Sequence, residues 1–227
     1  LKAQSPQALE DCQAVAGLSL GEYTALVFAG VLEFEAALKV VQERGSAMQA
    51  AAEAVSSGMV SVLGMELPQL EELIEQHRGP DETLQIANLL CPGNLVVSGD
   101  QAACQRLTEA ATEAGAMKVL PLAVAGAFHT PIMQPAVDRL TTSLQEASFQ
   151  TPRIPVISNV DAQPHQDPEE IRELLIQQVV SPVLWEDSMK YLLNIGCDHF
   201  FEIGPGRVLR GLLRRIDRKV NCDNITC

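Results

Sequence analysis

The sequence contains no apolar run near the roughly 20 residues that a membrane span requires; its longest, around residues 25–32, is far shorter. No charged-then-apolar signal segment opens the chain, so export is not expected. The first residue is Leu1 rather than Met, and the expectation is that the N-terminus has been removed. Positive charge is in short supply. Sixteen Lys and Arg face 29 Asp and Glu, and a net charge of −13 excludes the basic surface that nucleic acid demands. The six cysteines at positions 12, 91, 104, 197, 222 and 227 form no Cys-x-x-Cys pair, and no histidine stands at zinc-ligand spacing from them. Scattered single thiols of this kind point to a reducing cytoplasm. Repeats and low-complexity tracts are absent. Histidine is scarce as well, with four in the chain, which narrows any search for a general base.

What remains is the composition of an ordinary globular protein. With 227 residues, 47% hydrophobic and 20% charged, the chain can bury a large core as one domain or two coupled subdomains. A short apolar segment at 13–16 precedes Gly17-Leu18-Ser19-Leu20-Gly21, and a helical pattern follows over 22–31, which reads as strand, sharp turn, helix. A second helix is predicted over 34–55. Between 58 and 124 the pattern gives a strand at 59–63, a helix at 68–77, strands at 84–90 and 94–98 around the Pro92-Gly93 turn, a helix at 101–114 and a strand at 117–124. That βαββαβ order is the order of a ferredoxin-like unit, and its position inside a longer chain marks it as an inserted subdomain, 58–124 within 1–57 and 125–227. Thr130 and Pro131 then open a helix to about 147; a strand at 153–159, helices at 168–179 and 185–193, and a strand at 199–203 follow. Strands alternating with helices predict a mainly parallel sheet covered on both faces, hence an α/β fold.

Gly17-x-Ser19-x-Gly21 between a strand and a helix reads as a nucleophile elbow, with the Leu20 amide placed where an oxyanion develops. Among the histidines, His77 and His165 read as solvated and His199 as a core or rim residue of an apolar strand. His129 sits between a strand and a capped helix, at the sheet edge where α/β sites collect, and is the candidate base. Positive charge concentrates at Arg207, Arg210, Arg214, Arg215, Arg218 and Lys219, on the polar side of a helix whose apolar stripe is Leu209, Leu212, Leu213 and Ile216. Such a cluster reads either as a solvated face or as a docking patch for an acidic partner.

These motifs, taken together, resemble malonyl-CoA:acyl carrier protein transacylases. The resemblance is carried by Gly17-Leu18-Ser19-Leu20-Gly21-Glu22-Tyr23, Arg44-Gly45, Ala127-Phe128-His129, Ser158-Asn159-Val160, the segment 177–185 containing Gln178, and Glu202-Ile203-Gly204-Pro205-Gly206. It runs in order from about residue 15 to 216. It implies an α/β-hydrolase-like core with the inserted subdomain, and a ping-pong transfer of malonyl from malonyl-CoA to the phosphopantetheine thiol of acyl carrier protein in fatty acid synthesis, with no cofactor. It further implies Ser19 as nucleophile, His129 as base oriented by the main-chain carbonyl of Gln178, Arg44 as the grip on the malonyl carboxylate, and Phe128 as a residue crowding a 2-methyl branch. The four arginines 207, 210, 214 and 215 would dock the carrier protein. Leu18 stands where the family commonly has histidine. The family also has residues before the elbow, among them a Gly-Gln-Gly loop that gives a second oxyanion amide, so the chain is expected to be a fragment with little activity alone. The competing readings are a serine esterase on the same elbow, an acyltransferase domain of a polyketide synthase, and a non-catalytic fragment that binds carrier protein.

Overall fold

The computed structural model describes residues 6–226. In chain order, α1 (Pro6–Glu10) leads to β1 (Val15–Ala16), α2 (Leu20–Phe28) and α3 (Phe34–Ala54). Next come β2 (Ser57–Leu63), α4 (Leu67–His77), β3 (Leu84–Cys91), β4 (Asn94–Asp100), α5 (Gln101–Glu113) and β5 (Lys118–Pro121). A 3-10 turn (Pro131–Met133) opens α6 (Gln134–Glu146), followed by β6 (Val156–Ile157), β7 (Pro164–His165), α7 (Pro168–Gln178) and β8 (Val183–Leu184). The chain continues with α8 (Trp185–Asn194), β9 (His199–Ile203), α9 (Val208–Ile216) and β10 (Asn221–Ile225).

Outside the inserted span, the expected mainly parallel sheet does not form as one sheet. The described residues hold three sheets, ordered β1-β6-β7, β10-β9 and β5-β2-β4-β3-β8. In the five-stranded sheet only β8 pairs in parallel, against β3. Within the inserted span the connections account for the antiparallel pairing, in keeping with its βαββαβ order. The two-residue turn Pro92-Gly93, with Gly93 at φ 64, returns β3 directly onto β4, and a tight turn permits antiparallel pairing alone. Two strands are also shorter than their apolar patterns suggest. The stretch 153–159 reduces to Val156–Ile157 because Pro152 and Pro155 cannot donate to a ladder, and the strand expected over 117–124 stops at Pro121.

Packing follows the periods of the elements. Along β2 and β4, Val60, Val62, Leu95 and Val97 face α4 and α5, whose Leu70, Ile74, Ala103 and Leu107 complete that core. Their neighbours Met59 and Val96 point the other way and, with Ala87, pack against Phe128 and Leu90. A second core joins α2, α3, α6 and α7 through Leu26, Val40, Met48, Leu140 and Leu175. On α3 the buried positions are 37, 40, 44, 47, 48, 51 and 52, the 3–4 spacing of one helix face. Position 44 on that face is an arginine.

The parallel pair β1–β6 positions the functional residues. Its register sets Val15 beside Val156 and Ala16 beside Ile157, so both chains leave the sheet at one end, β1 into Gly17-Leu18-Ser19 and β6 into Ser158-Asn159. Gly17 is required by space: a Cβ there would lie 2.0 Å from the carbonyl carbon and oxygen of Gly21. Gly211, on the exposed side of α9, meets nothing within 4 Å. Gly17→Ala is therefore expected to lower stability by more than about 3 kcal/mol, and Gly211→Ala to raise it by about 0.5–1 kcal/mol. Urea unfolding of the two variants checks both signs.

Candidate active site

Ser19 is the N-cap residue of α2, with φ 49 and ψ −103, a conformation that L-residues occupy at a cost of about 1–3 kcal/mol. The unusual φ falls on the serine itself; Gly17 supplies close approach, and Gly21 stands outside the positive-φ set. Two contacts hold the turn. The Ser19 amide donates to Asn159 Oδ1 at 2.6 Å, and Asn159 Nδ2 donates to the Gly17 carbonyl at 2.8 Å. Leu20 begins α2, so its amide has no intrahelical acceptor and lies at the positive end of the helix dipole, while its side chain is exposed.

His129 shares this strained character, with φ 61, and is buried. Its loop is tied down from three sides: Gln85 Nε2 donates to the His129 carbonyl at 3.3 Å, Thr130 Oγ1 to the Ala127 carbonyl at 2.8 Å, and the Ala127 amide to Ser57 Oγ at 3.1 Å. The ring spans two partners. Nδ1 lies 2.8 Å from the Gln178 carbonyl, and Nε2 lies 2.9 Å from Ser19 Oγ. A carbonyl can only accept, so the proton of the neutral ring sits on Nδ1, and Nε2 is free to accept from the serine hydroxyl. Burial, the largest influence, lowers the imidazole to about 4; the neighbouring Arg44 cation works in the same direction, against the Gln178 hydrogen bond.

Arg44 reaches the same oxygen from α3. Its Nη2 donates to Ser19 Oγ at 2.9 Å and to Gln178 Oε1 at 3.1 Å, and the guanidinium lies over the Tyr23 ring, 5.6 Å from the centroid. The residue is 6% exposed, Nε has no hydrogen-bond partner, and none of the ion pairs among the described residues involves it. Desolvation is the main cause of its lowered pKa. Gln178, at the end of α7 and fully buried, also donates from Nε2 to the Ser19 carbonyl at 3.2 Å.

The structure thus brings Ser19, His129, Arg44 and Gln178 into mutual contact. Phe128 is half-buried between the helical core and the second face of the five-stranded sheet. Of the other histidines, His165 departs from the expected solvated loop: its side chain is 10% exposed and paired with Asp161 and Glu170. Asp161 before α7 and Glu170 in its first turn hold the ring from two sides. His77 is half-buried on the Leu73 carbonyl, and His199 is exposed on the strand rim, stacked on Phe201 and paired with Asp223. Arg207, Arg214 and Arg215 are exposed on and before α9, Arg210 is half-buried, and Arg215 donates to the Pro92 carbonyl at 3.1 Å.

Sequence reasoning assigned no role to Asn159 or Glu22. The first is visible only through the register of β1 against β6. Glu22 falls among the buried residues of α2, beside Tyr23, Ala25 and Leu26, and a carboxylate on an apolar helix face is the signal that marks it. Among the described residues no cluster of His, Cys, Asp and Glu could hold a metal ion, and no helix is long and apolar enough to cross a membrane.

The chain is similar to known proteins over most of its length. The malonyl CoA-acyl carrier protein transacylase of Staphylococcus aureus (strain MRSA252) is 39% identical over 209 residues, 92% of this chain and 68% of the relative. The transacylase structure from Coxiella burnetii superposes with a TM-score of 0.92 at 38% identity, covering 96% of this chain and 69% of that one. A malonyl-transacylase solved with its type II polyketide synthase acyl-carrier protein gives a TM-score of 0.89 at 34% identity, covering 97% of this chain and 72% of that one. The acyl transferase domain profile matches residues 9–222, nearly the whole length; the chain belongs to the acyl transferase domain family.

Proposed function

We propose that the protein transfers a malonyl group from malonyl-CoA to the phosphopantetheine thiol of acyl carrier protein, in fatty acid biosynthesis in the cytoplasm. One observation carries the substrate: a buried guanidinium, unpaired with any carboxylate among the described residues, sits 2.9 Å from a strained serine. A buried cation with no carboxylate in direct contact is costly, and a ligand carboxylate placed against it lowers that cost, with Glu22 acting on it only from beyond contact distance. Malonyl-CoA carries such a carboxylate two carbons from the thioester sulfur, whereas acetyl-CoA has none.

In the proposed first half-reaction, Ser19 Oγ attacks the thioester carbonyl as its proton passes to His129 Nε2. The C–S bond breaks and coenzyme A leaves with that proton. In the second half-reaction the carrier thiol gives its proton to His129 and attacks the malonyl-serine, and the C–O bond breaks to restore the hydroxyl. The Leu20 amide faces the developing oxyanion at the start of α2. The Gln178 carbonyl orients the ring where many serine hydrolases use a carboxylate. Phe128 crowds a 2-methyl substituent. The same reading gives the architecture as an α/β-hydrolase-like core, 1–57 and 125–227, with a ferredoxin-like subdomain at 58–124. The antiparallel strand order β5-β2-β4-β3 supports it, with β8 adding one parallel strand from outside that span. Arg207, Arg210, Arg214 and Arg215 dock the acidic carrier.

Single-turnover labelling tests the reading: malonyl-CoA acylates Ser19 far faster than a neutral activated ester does, and the reverse order would make the protein an esterase. Arg44→Ala is expected to lower kcat/KM for malonyl-CoA by about 10³-fold while acetyl transfer falls much less, because the lost contact is specific to the free carboxylate. Steady-state kinetics on both thioesters measures the ratio. The pH dependence has a definite sign. Only neutral His129 accepts a proton, and its pKa is lowered to about 4, so the acid limb of Ser19 acylation lies near pH 4 rather than 6.5. A pre-steady-state pH profile locates it. Arg214→Glu is expected to raise KM for the carrier protein roughly tenfold, with strong salt dependence, while the rate of malonyl-serine formation is unchanged.

A further inference from the structure

Ser19-Leu20-Gly21-Glu22 has the composition of a helix capping box, with serine at the N-cap and glutamate three residues later. In that motif the serine oxygen accepts from the amide of the third helical residue, and the glutamate carboxylate reaches back to the serine amide. Neither bond forms here. Ser19 Oγ makes no cap hydrogen bond and faces His129 and Arg44; the Ser19 amide donates to Asn159 Oδ1. The Glu22 amide settles for the Ser19 carbonyl at 3.2 Å. The glutamate side chain has turned inward. Its Oε2 accepts from Gln178 Nε2 at 2.7 Å and from the Asn159 amide at 3.1 Å, and the residue is 3% exposed.

Both residues that Glu22 holds are bound to the reacting groups. Asn159 grips the turn through the Ser19 amide and the Gly17 carbonyl. Gln178 touches the Ser19 carbonyl, His129 Nδ1 and Arg44 Nη2. One carboxylate oxygen therefore links the end of β6 to the end of α7, across the turn that carries the serine.

The geometry points to Glu22 as a positioning residue for acyl transfer: by accepting from Asn159 and Gln178 instead of capping its own helix, it leaves Ser19 Oγ free and fixes His129 and Arg44 against it. This deepens the proposed function and rests on Ser19 being the acylated group. What the site needs from Glu22 is an acceptor at one point in space, not a charge. In agreement, burial raises the carboxyl to about 7, and the protonated acid still offers a carbonyl oxygen there.

Two conservative variants of the intact protein separate reach from charge. Glu22→Gln keeps the reach and loses the charge; Glu22→Asp keeps the charge and falls one methylene short. The readout is the rate of Ser19 modification, followed by intact mass, with malonyl-CoA and separately with a neutral fluorophosphonate. Glu22→Gln is expected to react within about threefold of the parent with both reagents, and Glu22→Asp about 10–10²-fold more slowly, the scale of a misplacement near 1 Å. In turnover, the Glu22→Asp loss appears in kcat with KM for malonyl-CoA little changed. An Asp variant as fast as the parent, or a Gln variant as slow as the Asp variant, overturns the inference. A parent that reacts with the fluorophosphonate but not with malonyl-CoA refutes the malonyl reading alone, and the Gln–Asp comparison on the fluorophosphonate still decides the role of Glu22. A parent inert to both reagents refutes both.

Discussion

The Ser19 amide donates to Asn159 Oδ1 at 2.6 Å, a bond that joins two segments 140 residues apart and that the helix beginning at Ser19 does not supply. The parallel register of β1 on β6 makes it available, because both strands release their chains at the same end. Without that acceptor, a serine at φ 49 and ψ −103 would relax toward an ordinary N-cap and direct its oxygen to its own helix. The absence of a Cβ at Gly17 is the other half of the constraint, since it lets the incoming strand touch the carbonyl of Gly21. His129 is a second strained residue facing the first, and its loop is over-determined in the same manner, by side chains from β2 and β3. Strain of about 1–3 kcal/mol at each persists because neighbouring hydrogen bonds leave neither residue an alternative.

The electrostatics of the cluster follow from its dryness. Arg44, Glu22, Tyr23 and His129 are all buried within a few residues of one another in space, and for each of them desolvation is the largest influence on its titration. The directions differ as charge requires: the acids Glu22 and Tyr23 are raised, the bases Arg44 and His129 lowered. Around neutral pH the histidine is thus uncharged and the arginine is the dominant cation beside the serine oxygen. A field of that sign at a dry site favours an anionic group in the adjoining space. The chain is strongly acidic overall, so this local reversal is a property of the fold rather than of composition.

Much of this was legible in the sequence, because local chemistry governed it. The strand–turn–helix around Ser19, the run of elements from Ser57 to Pro121 and the cap at Thr130 follow from period, glycine and proline placement, and a short polar side chain. Pairing was not legible. Outside the inserted span, alternating strands and helices suggested a mainly parallel sheet, yet the strands there divide between β1-β6-β7 and β10-β9, and β8 joins the sheet of the inserted strands. Strands of two residues leave no periodic signature. At the site, Ser19 and His129 announced themselves through their flanking elements, whereas Arg44 needed resemblance. A closer reading of α3 would have found it, since positions 37, 40, 44, 47 and 51 form one buried line and an arginine interrupts it. The contacts of Asn159 exist only after β1 and β6 pair, so no local pattern could assign it, and Glu22 carries no local signal beyond a carboxylate on an apolar helix face.

The acceptor behind His129 is a peptide carbonyl rather than a carboxylate, and the difference bears on the reaction proposed for the site. A carboxylate would stabilise the imidazolium and raise the base; a carbonyl offers a dipole, fixes the tautomer equally well, and leaves the ring weakly basic in its dry surroundings. For hydrolysis the base must take a proton from water, a very weak acid, and a weakly basic ring is a handicap. For exchange of an acyl group between serine and a thiol it is less so, because thiols are acidic enough to part with a proton readily. Arg44 Nη2 donates to the same Ser19 Oγ at 2.9 Å, and in the proposed reaction the substrate's carboxylate takes up that guanidinium. A carbonyl-backed histidine and a guanidinium thus meet on one hydroxyl, and in the reaction proposed above the first takes the proton while the second receives the substrate's carboxylate.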